Sequence, residues 1–158
     1  MAKYTAEIAW QRTPNEKFVD QKYSRAHTWS FDGGVTVAAS SSPTIVPLPY
    51  SNADNVDPEE AFVASLSSCH MLFFLHFAAK AGLIVDSYTD TAQGIMANNQ
   101  QGKLAMTQIV LKPSVTWQNQ ITIELSTLES LHHQAHEACF LANSVHSQII
   151  IEPQQLKS

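Results

Sequence analysis

Apolar and polar positions alternate from Tyr4 to Trp10, and Tyr23 to Phe31 is rich in aromatics. The cluster Asp32-Gly33-Gly34 reads as a turn into Val35 to Ala39, so the N-terminal part predicts three strands. Ser40 to Asp54 carries Pro43, Pro47 and Pro49 and predicts a loop. At Asp57 the pattern changes. Asp57 as N-cap, Pro58 in the first helical position and Glu60 three residues after the cap predict a helix start. That helix runs to about Lys80 and stops at Gly82, roughly 36 Å of α-helix. Phe62, Val63, Leu66, Met71, Leu72, Phe73, Phe74, Leu75 and Phe77 surround it instead of keeping to one stripe. Such a helix is expected to be buried on all sides, and one protomer would struggle to cover it.

Strand patterns return at Val85 to Met96 and at Leu104 to Trp117, around a polar turn at Asn98 to Gly102, with Pro113 marking an edge or bulge. Ser126 and Glu129 suggest a second capping box for a helix running through Ala142, and Ser147 to Glu152 predicts a last strand. The order is three strands, a long helix, two strands, a helix and a strand. That is an α+β fold with no βαβ alternation and no Gly-rich phosphate loop, so no nucleotide cofactor is expected.

At 158 residues the chain is expected to form one domain, residues 1–158, with 44% hydrophobic residues supplying its core. Charged residues make up only 15%, which favours an oligomer that hides surface in a partner. The net charge of −5, with two arginines and seven scattered lysines, argues against nucleic acid as a partner. The N-terminus lacks a signal pattern, which points to the cytoplasm. Ala61 to Ala79 is interrupted by Ser65, Ser67, Ser68, His70 and His76, a poor membrane span.

Candidate chemistry centres on Cys69 and Cys139, both expected on helices. Each reads equally as a small buried hydrophobe or a redox-active thiol. Cys69 lies mid-helix, where the dipole cannot help, so an active thiolate there needs a cation from elsewhere. An arginine held by Glu59 or Glu60 and aimed at the sulfur would supply one, and Arg25 and Arg12 are the arginines available. Glu60 also serves as the cap partner, and Glu59 alone is a favourable charge at a helix start. His132, His136 and Cys139 fall at i, i+4 and i+7 on one helix face. They form either an incomplete zinc-type set or a solvated polar face. His70 either assists Cys69 as a base or points elsewhere, since adjacent helical residues diverge.

The run from Asp57-Pro58-Glu59 to Ser68-Cys69 resembles the OsmC and organic hydroperoxide resistance (Ohr) family. In that family an Asn/Asp-Pro-Glu start precedes a cysteine ten residues after the glutamate. Ala135-His136-Glu137-Ala138-Cys139 through Ser144 is similar to the family's second cysteine motif. Gly82-Leu83, Ser87-Tyr88 and the strand order fit as well. The resemblance covers nearly the whole chain. It implies an intertwined homodimer in which two long central helices are wrapped by antiparallel sheets. It further implies a stress-responsive thiol peroxidase that reduces organic hydroperoxides, and beside the residue-based expectations of a cytoplasmic location and no membrane partner, no cofactor or metal is expected. Cys69 would be the peroxidatic cysteine, Cys139 the resolving one, Glu59 the arginine-binding glutamate, and Arg25 the active-site arginine, with Arg12 as the alternative. Phe140 stands where members commonly carry proline, and His70 where many carry an apolar residue. Those departures suggest an OsmC-like subgroup.

On that reading Cys69 attacks an organic hydroperoxide and becomes a sulfenic acid. Cys139 condenses with it to a disulfide, and an external dithiol of lipoyl type reduces that. Disulfide formation requires the two Cα atoms to come within about 7 Å. Phe62 and Phe73 either line a substrate pocket at Cys69 or belong to the core. Two rival readings remain: a non-catalytic protein binding an apolar ligand at the dimer interface, and a metal-binding stress protein using the histidine helix.

Overall fold

Three short N-terminal strands pair in sequence order in the computed structural model, which describes residues 1–154. Strands β1 (Ala6–Ala9), β2 (His27–Phe31) and β3 (Thr36–Ala39) form an antiparallel sheet. Ile8 sits opposite Trp29, and Trp29 opposite Val37. The Gly33-Gly34 turn forms as expected, with Gly34 at φ 85°, a conformation glycine adopts without strain. Tyr23 to Ala26, expected as strand, lies outside the ladder. The backbone amide of Arg25 instead donates to the Tyr50 carbonyl of the proline-rich loop. That loop is tied down from inside: the buried Ser40 hydroxyl accepts the Asn52 amide at 2.9 Å, and Asn55 Nδ2 donates to the Ala39 carbonyl.

Helix α1 spans Pro58–Lys80. Its start is a closed capping box. The Glu60 amide donates to Asp57 Oδ1 at 2.8 Å, and the Asp57 amide donates to the Glu60 carboxylate. Its end is a glycine cap, with Gly82 at φ 75° and the Leu83 amide on the Ala78 carbonyl. The chain divides into two compact units, Met1–Ala61 and Phe62 onward, with the boundary in the first turns of α1.

In the second unit strand β4 (Val85–Asp90) pairs antiparallel with β7 (Pro113–Trp117). A separate sheet has the order β5 (Gln93–Asn98), β6 (Leu104–Leu111), β8 (Gln148–Ile151), with β6 and β8 parallel. Each of the two long strands expected from sequence is therefore cut in two. Asp90 explains both cuts. Its carboxylate accepts the Lys112 amide at 2.6 Å and the Ser67 hydroxyl, so Lys112 gives its donor to a side chain. Pro113 has no donor to give. Gly94 permits a close approach, because a Cβ there would lie 2.7 Å from Val63 Cγ2.

Helix α2 spans Leu125–Ala138, starting before the expected Ser126 cap and ending short of Ala142. Glu124 occupies the N-cap without a side-chain cap bond, so the Ser126–Glu129 capping box does not form. Cys139 is the C-cap residue, in extended conformation, and not part of a helix. Asn143 Nδ2 donates to the Glu137 carbonyl and closes the helix end.

Burial along α1 follows one stripe, Leu66, His70, Phe74 and Ala78, at steps of four; the helix is not buried all round within the chain, and Leu72 is 61% exposed. By length and composition α1 could cross a bilayer. Here its buried stripe packs within protein. Phe74 and Ala78 join Trp117, Leu131 and Ala135 in one core cluster, and Leu66 joins Ile109 and Leu111 in another.

Candidate active site

The two thiols meet in the second unit. Cys69 is half-buried on α1, Cys139 is buried at the end of α2, and both are free. Burial first, then the neighbouring Cys69 thiol, pushes the Cys139 thiol up to about 11. The turn after α2 holds Cys139 in place. The Ala142 amide donates to its Sγ at 3.4 Å and the Asn143 amide to its carbonyl.

Cys69 borders a cavity of about 590 Å³ whose walls include Leu72, Phe73, Phe140 and Leu141, with Ser65, Ser68 and His76 at its polar positions. Phe73 and Phe140 meet edge to face at 5.0 Å. Of the two aromatics considered from sequence, Phe73 lines this cavity. Phe62 packs instead against the Leu66–Ile109–Leu111 cluster.

Arg25 and Glu59 lie in the first unit, where both border a cavity of about 420 Å³ together with Trp10, Phe18, Tyr23 and His27. Arg25 Nη1 donates to the Gln21 and Tyr23 carbonyls, and its guanidinium lies 3.7 Å from the Tyr23 ring centroid. Its hydrogen bonds thus go to backbone carbonyls and not to the Glu59 carboxylate. Phe18 stacks on Tyr23 at 4.6 Å and Trp10 meets Tyr23 edge-on at 5.5 Å, which gives the arginine an aromatic floor. Trp29 Nε1 donates to His27 Nε2, so the other ring nitrogen, 2.8 Å from the Arg25 carbonyl, carries the proton and donates to it. Arg12 is spent on a different task. It donates to the Thr13, Pro14 and Glu16 carbonyls and does not border this cavity.

The histidines depart most from expectation. His70 Nε2 and His132 Nδ1 share a hydrogen bond of 3.0 Å between coplanar rings, both buried. His132 therefore belongs to the core and not to a solvated face, while His133 is exposed. Burial first, then neighbouring imidazoles, lowers both His70 and His132 to about 4, so each is neutral at pH 7. Among the described residues no group of three or more histidine, cysteine or acidic side chains is arranged to hold a metal ion. Sequence reasoning missed this pair and the Trp10–Phe18–Tyr23 floor under Arg25. His70 lies at steps of four between Leu66 and Phe74, but apolar residues surround α1, so no stripe marked it in the sequence.

The helix bearing Cys69, the turn bearing Cys139 and the mainly antiparallel sheets make up an OsmC-like α+β fold. A profile of the OsmC-like protein family matches residues 51–154, and the chain belongs to that family. It is 51% identical to an OsmC-like protein of unknown function from Vibrio cholerae, with a TM-score of 0.94 over 98% of this chain and 100% of that one. An OsmC-like protein from Mycoplasma pneumoniae has the same fold at 12% identity, with a TM-score of 0.72 and 99% of each chain covered. So does an organic hydroperoxide resistance protein from Elizabethkingia anophelis, at 16% identity, with a TM-score of 0.67 and 99% of each chain covered. No curated protein sequence matches the chain.

Proposed function

We propose that this protein is a thiol-dependent peroxidase that reduces organic hydroperoxides to alcohols, acting as a homodimeric single domain in the cytoplasm. The observation that carries the reading is the neighbouring Cys69 and Cys139 thiols beside a cavity with largely apolar walls. A buried thiol held at about 11 stays protonated at neutral pH, so the nucleophile falls to Cys69. The Cys69 thiolate attacks the distal peroxide oxygen and the O–O bond breaks. Sulfur is oxidised to a sulfenic acid, and the alkoxide takes a proton and leaves as the alcohol. Cys139 then attacks the sulfenic sulfur, expelling water and forming the disulfide. A dithiol of lipoyl type supplies two electrons and two protons to restore both thiols.

Lowering a cysteine pKa from about 8.5 raises the thiolate fraction at neutral pH by only about ten- to thirtyfold. Most of the rate therefore comes from stabilising the departing alkoxide and aligning the O–O bond, the part assigned to Arg25. In the proposed homodimer Arg25 and Glu59 of one protomer serve the cysteine pair of its partner. Leu72, exposed within a single chain beside Cys69, is a residue such an assembly would cover.

The test is turnover of cumene hydroperoxide with dihydrolipoamide as reductant. The wild type is expected to turn over repeatedly, and Cys69→Ser to fall to background. Equal rates in the two proteins would remove the reading. The ligand-binding alternative, favoured by the same cavity of about 590 Å³, would then take its place.

A further inference from the structure

A third cavity, of about 370 Å³, lies in the second unit between β7, the start of α2 and the C-terminal segment at Pro153. Its walls include Pro113, Val115, Trp117, Ile123 and Leu128, and among the described residues no lysine, arginine, aspartate or glutamate lines it. His132 also borders it. This side chain is 3% exposed, its Nδ1 is engaged with His70, and its Nε2 is buried without a hydrogen-bond partner. One face of the ring stacks on Phe74 at 4.4 Å. With one nitrogen committed to His70 and one face to Phe74, Nε2 is the polar atom of this cavity-bordering ring that has no partner. A buried polar atom left unpaired is costly, and in native proteins such atoms generally find a water or a ligand.

We infer that this cavity is a binding site for a small uncharged molecule with an apolar body and one hydroxyl group, which hydrogen-bonds His132 Nε2. Volume sets the size: roughly 150 Å³ of apolar cavity suffices for benzene, so about 370 Å³ admits a substituted ring or a short branched chain. Charge sets the class. A carboxylate would enter a wall that offers no cation among the described residues, beside an imidazole that burial keeps neutral, and its desolvation would go uncompensated there. The hydroxyl follows from the imidazole pair. One ring must donate and the other accept across the His70–His132 bond, so His132 Nε2 is a donor in one tautomer and an acceptor in the other. A hydroxyl satisfies either. The site shares no lining residue with the Cys69 cavity and does not depend on the peroxidase reading.

The experiment follows the His132 Nε2 resonance by side-chain ¹⁵N NMR in the wild type during titration with benzyl alcohol, toluene and benzoate at pH 7.5. Benzyl alcohol is expected to shift it saturably, with toluene and benzoate each at least tenfold weaker. Leu125→Trp is introduced at an exposed lip residue, with Ile121→Trp as a second blocking variant. Either should abolish the response while leaving the unliganded spectrum of the α1 core unchanged. The inference is overturned if benzyl alcohol causes no saturable shift in the wild type, if benzoate binds as well, or if both blocked variants respond like the wild type.

Discussion

The Cys139 thiol lies beside the Cys69 thiol, although seventy positions separate them in sequence. Cys139 is held by the turn that ends α2, and Cys69 sits on the helix that carries the apolar stripe. Oxidation of Cys69 would make its sulfur an electrophile with a second thiol already beside it. Cys139→Ser is therefore expected to react once with peroxide, leave a dimedone-reactive sulfenic acid on Cys69, and lose dithiol-driven turnover. Mass spectrometry of the dimedone adduct checks this, and an adduct forming equally in wild type would contradict it.

Arg25 and Arg12 are expected to differ sharply. Arg25→Lys keeps the charge but loses the planar fork that lies over Tyr23, and is expected to lower kcat/KM for cumene hydroperoxide by tenfold or more. Arg12→Ala should stay within about twofold, because Arg12 binds only loop carbonyls.

A site shared between protomers has a signature that single variants lack. Mixing unfolded Cys69→Ser and Arg25→Ala chains and refolding them together should restore activity to about a quarter of wild type. Half of the dimers would then be mixed, each with one intact site out of two. A mixture no more active than its components would place Arg25 and Cys69 of the same chain in one site, or exclude Arg25.

The His70–His132 pair makes stability depend on pH. Unfolded imidazoles take up protons below about 6.5, whereas the native pair stays neutral until about 4. Between those values the unfolded state binds more protons, so stability rises with pH and is lost as pH falls through the window. The span corresponds to roughly 3 kcal/mol for each imidazole if the two titrate independently. Urea midpoints at pH 7 and pH 4.5 measure it. The double variant His70→Leu/His132→Leu should flatten the difference.

Gly94→Ala is expected to destabilise by about 1–3 kcal/mol, because the new methyl would press on Val63 and Met106, and α1 cannot retreat easily. An unchanged urea midpoint would show that β5 moves outward without cost.

Features determined by neighbours in sequence were legible there. Asp57, Pro58 and Glu60 set the start of α1, and Gly82 its end, because caps are local. Features set by distant partners were not. Asp90 breaks two strands by bonding Lys112 across a sheet, and no periodicity reveals that bond. Asn143 reaches back to the Glu137 carbonyl and stops α2 before Cys139, which frees the second cysteine from the helix. The apolar residues of α1 surround it, so its buried stripe stayed hidden, and that stripe includes a histidine whose partner lies 62 residues away. The cysteine pair came from motif resemblance. The aromatic floor under Arg25 depends on Trp10, Phe18 and Tyr23 meeting through an irregular loop.

The most direct measurement of the central claim is intact mass with a free-thiol count, before and after about one equivalent of cumene hydroperoxide per reduced protomer. The cycle proposed for Cys69 and Cys139 requires both thiols to disappear with a mass decrease of two hydrogens, and Cys69→Ser to keep its remaining thiol. Survival of both thiols after several equivalents of peroxide would contradict it and leave the cysteines as core residues beside an apolar binding cavity.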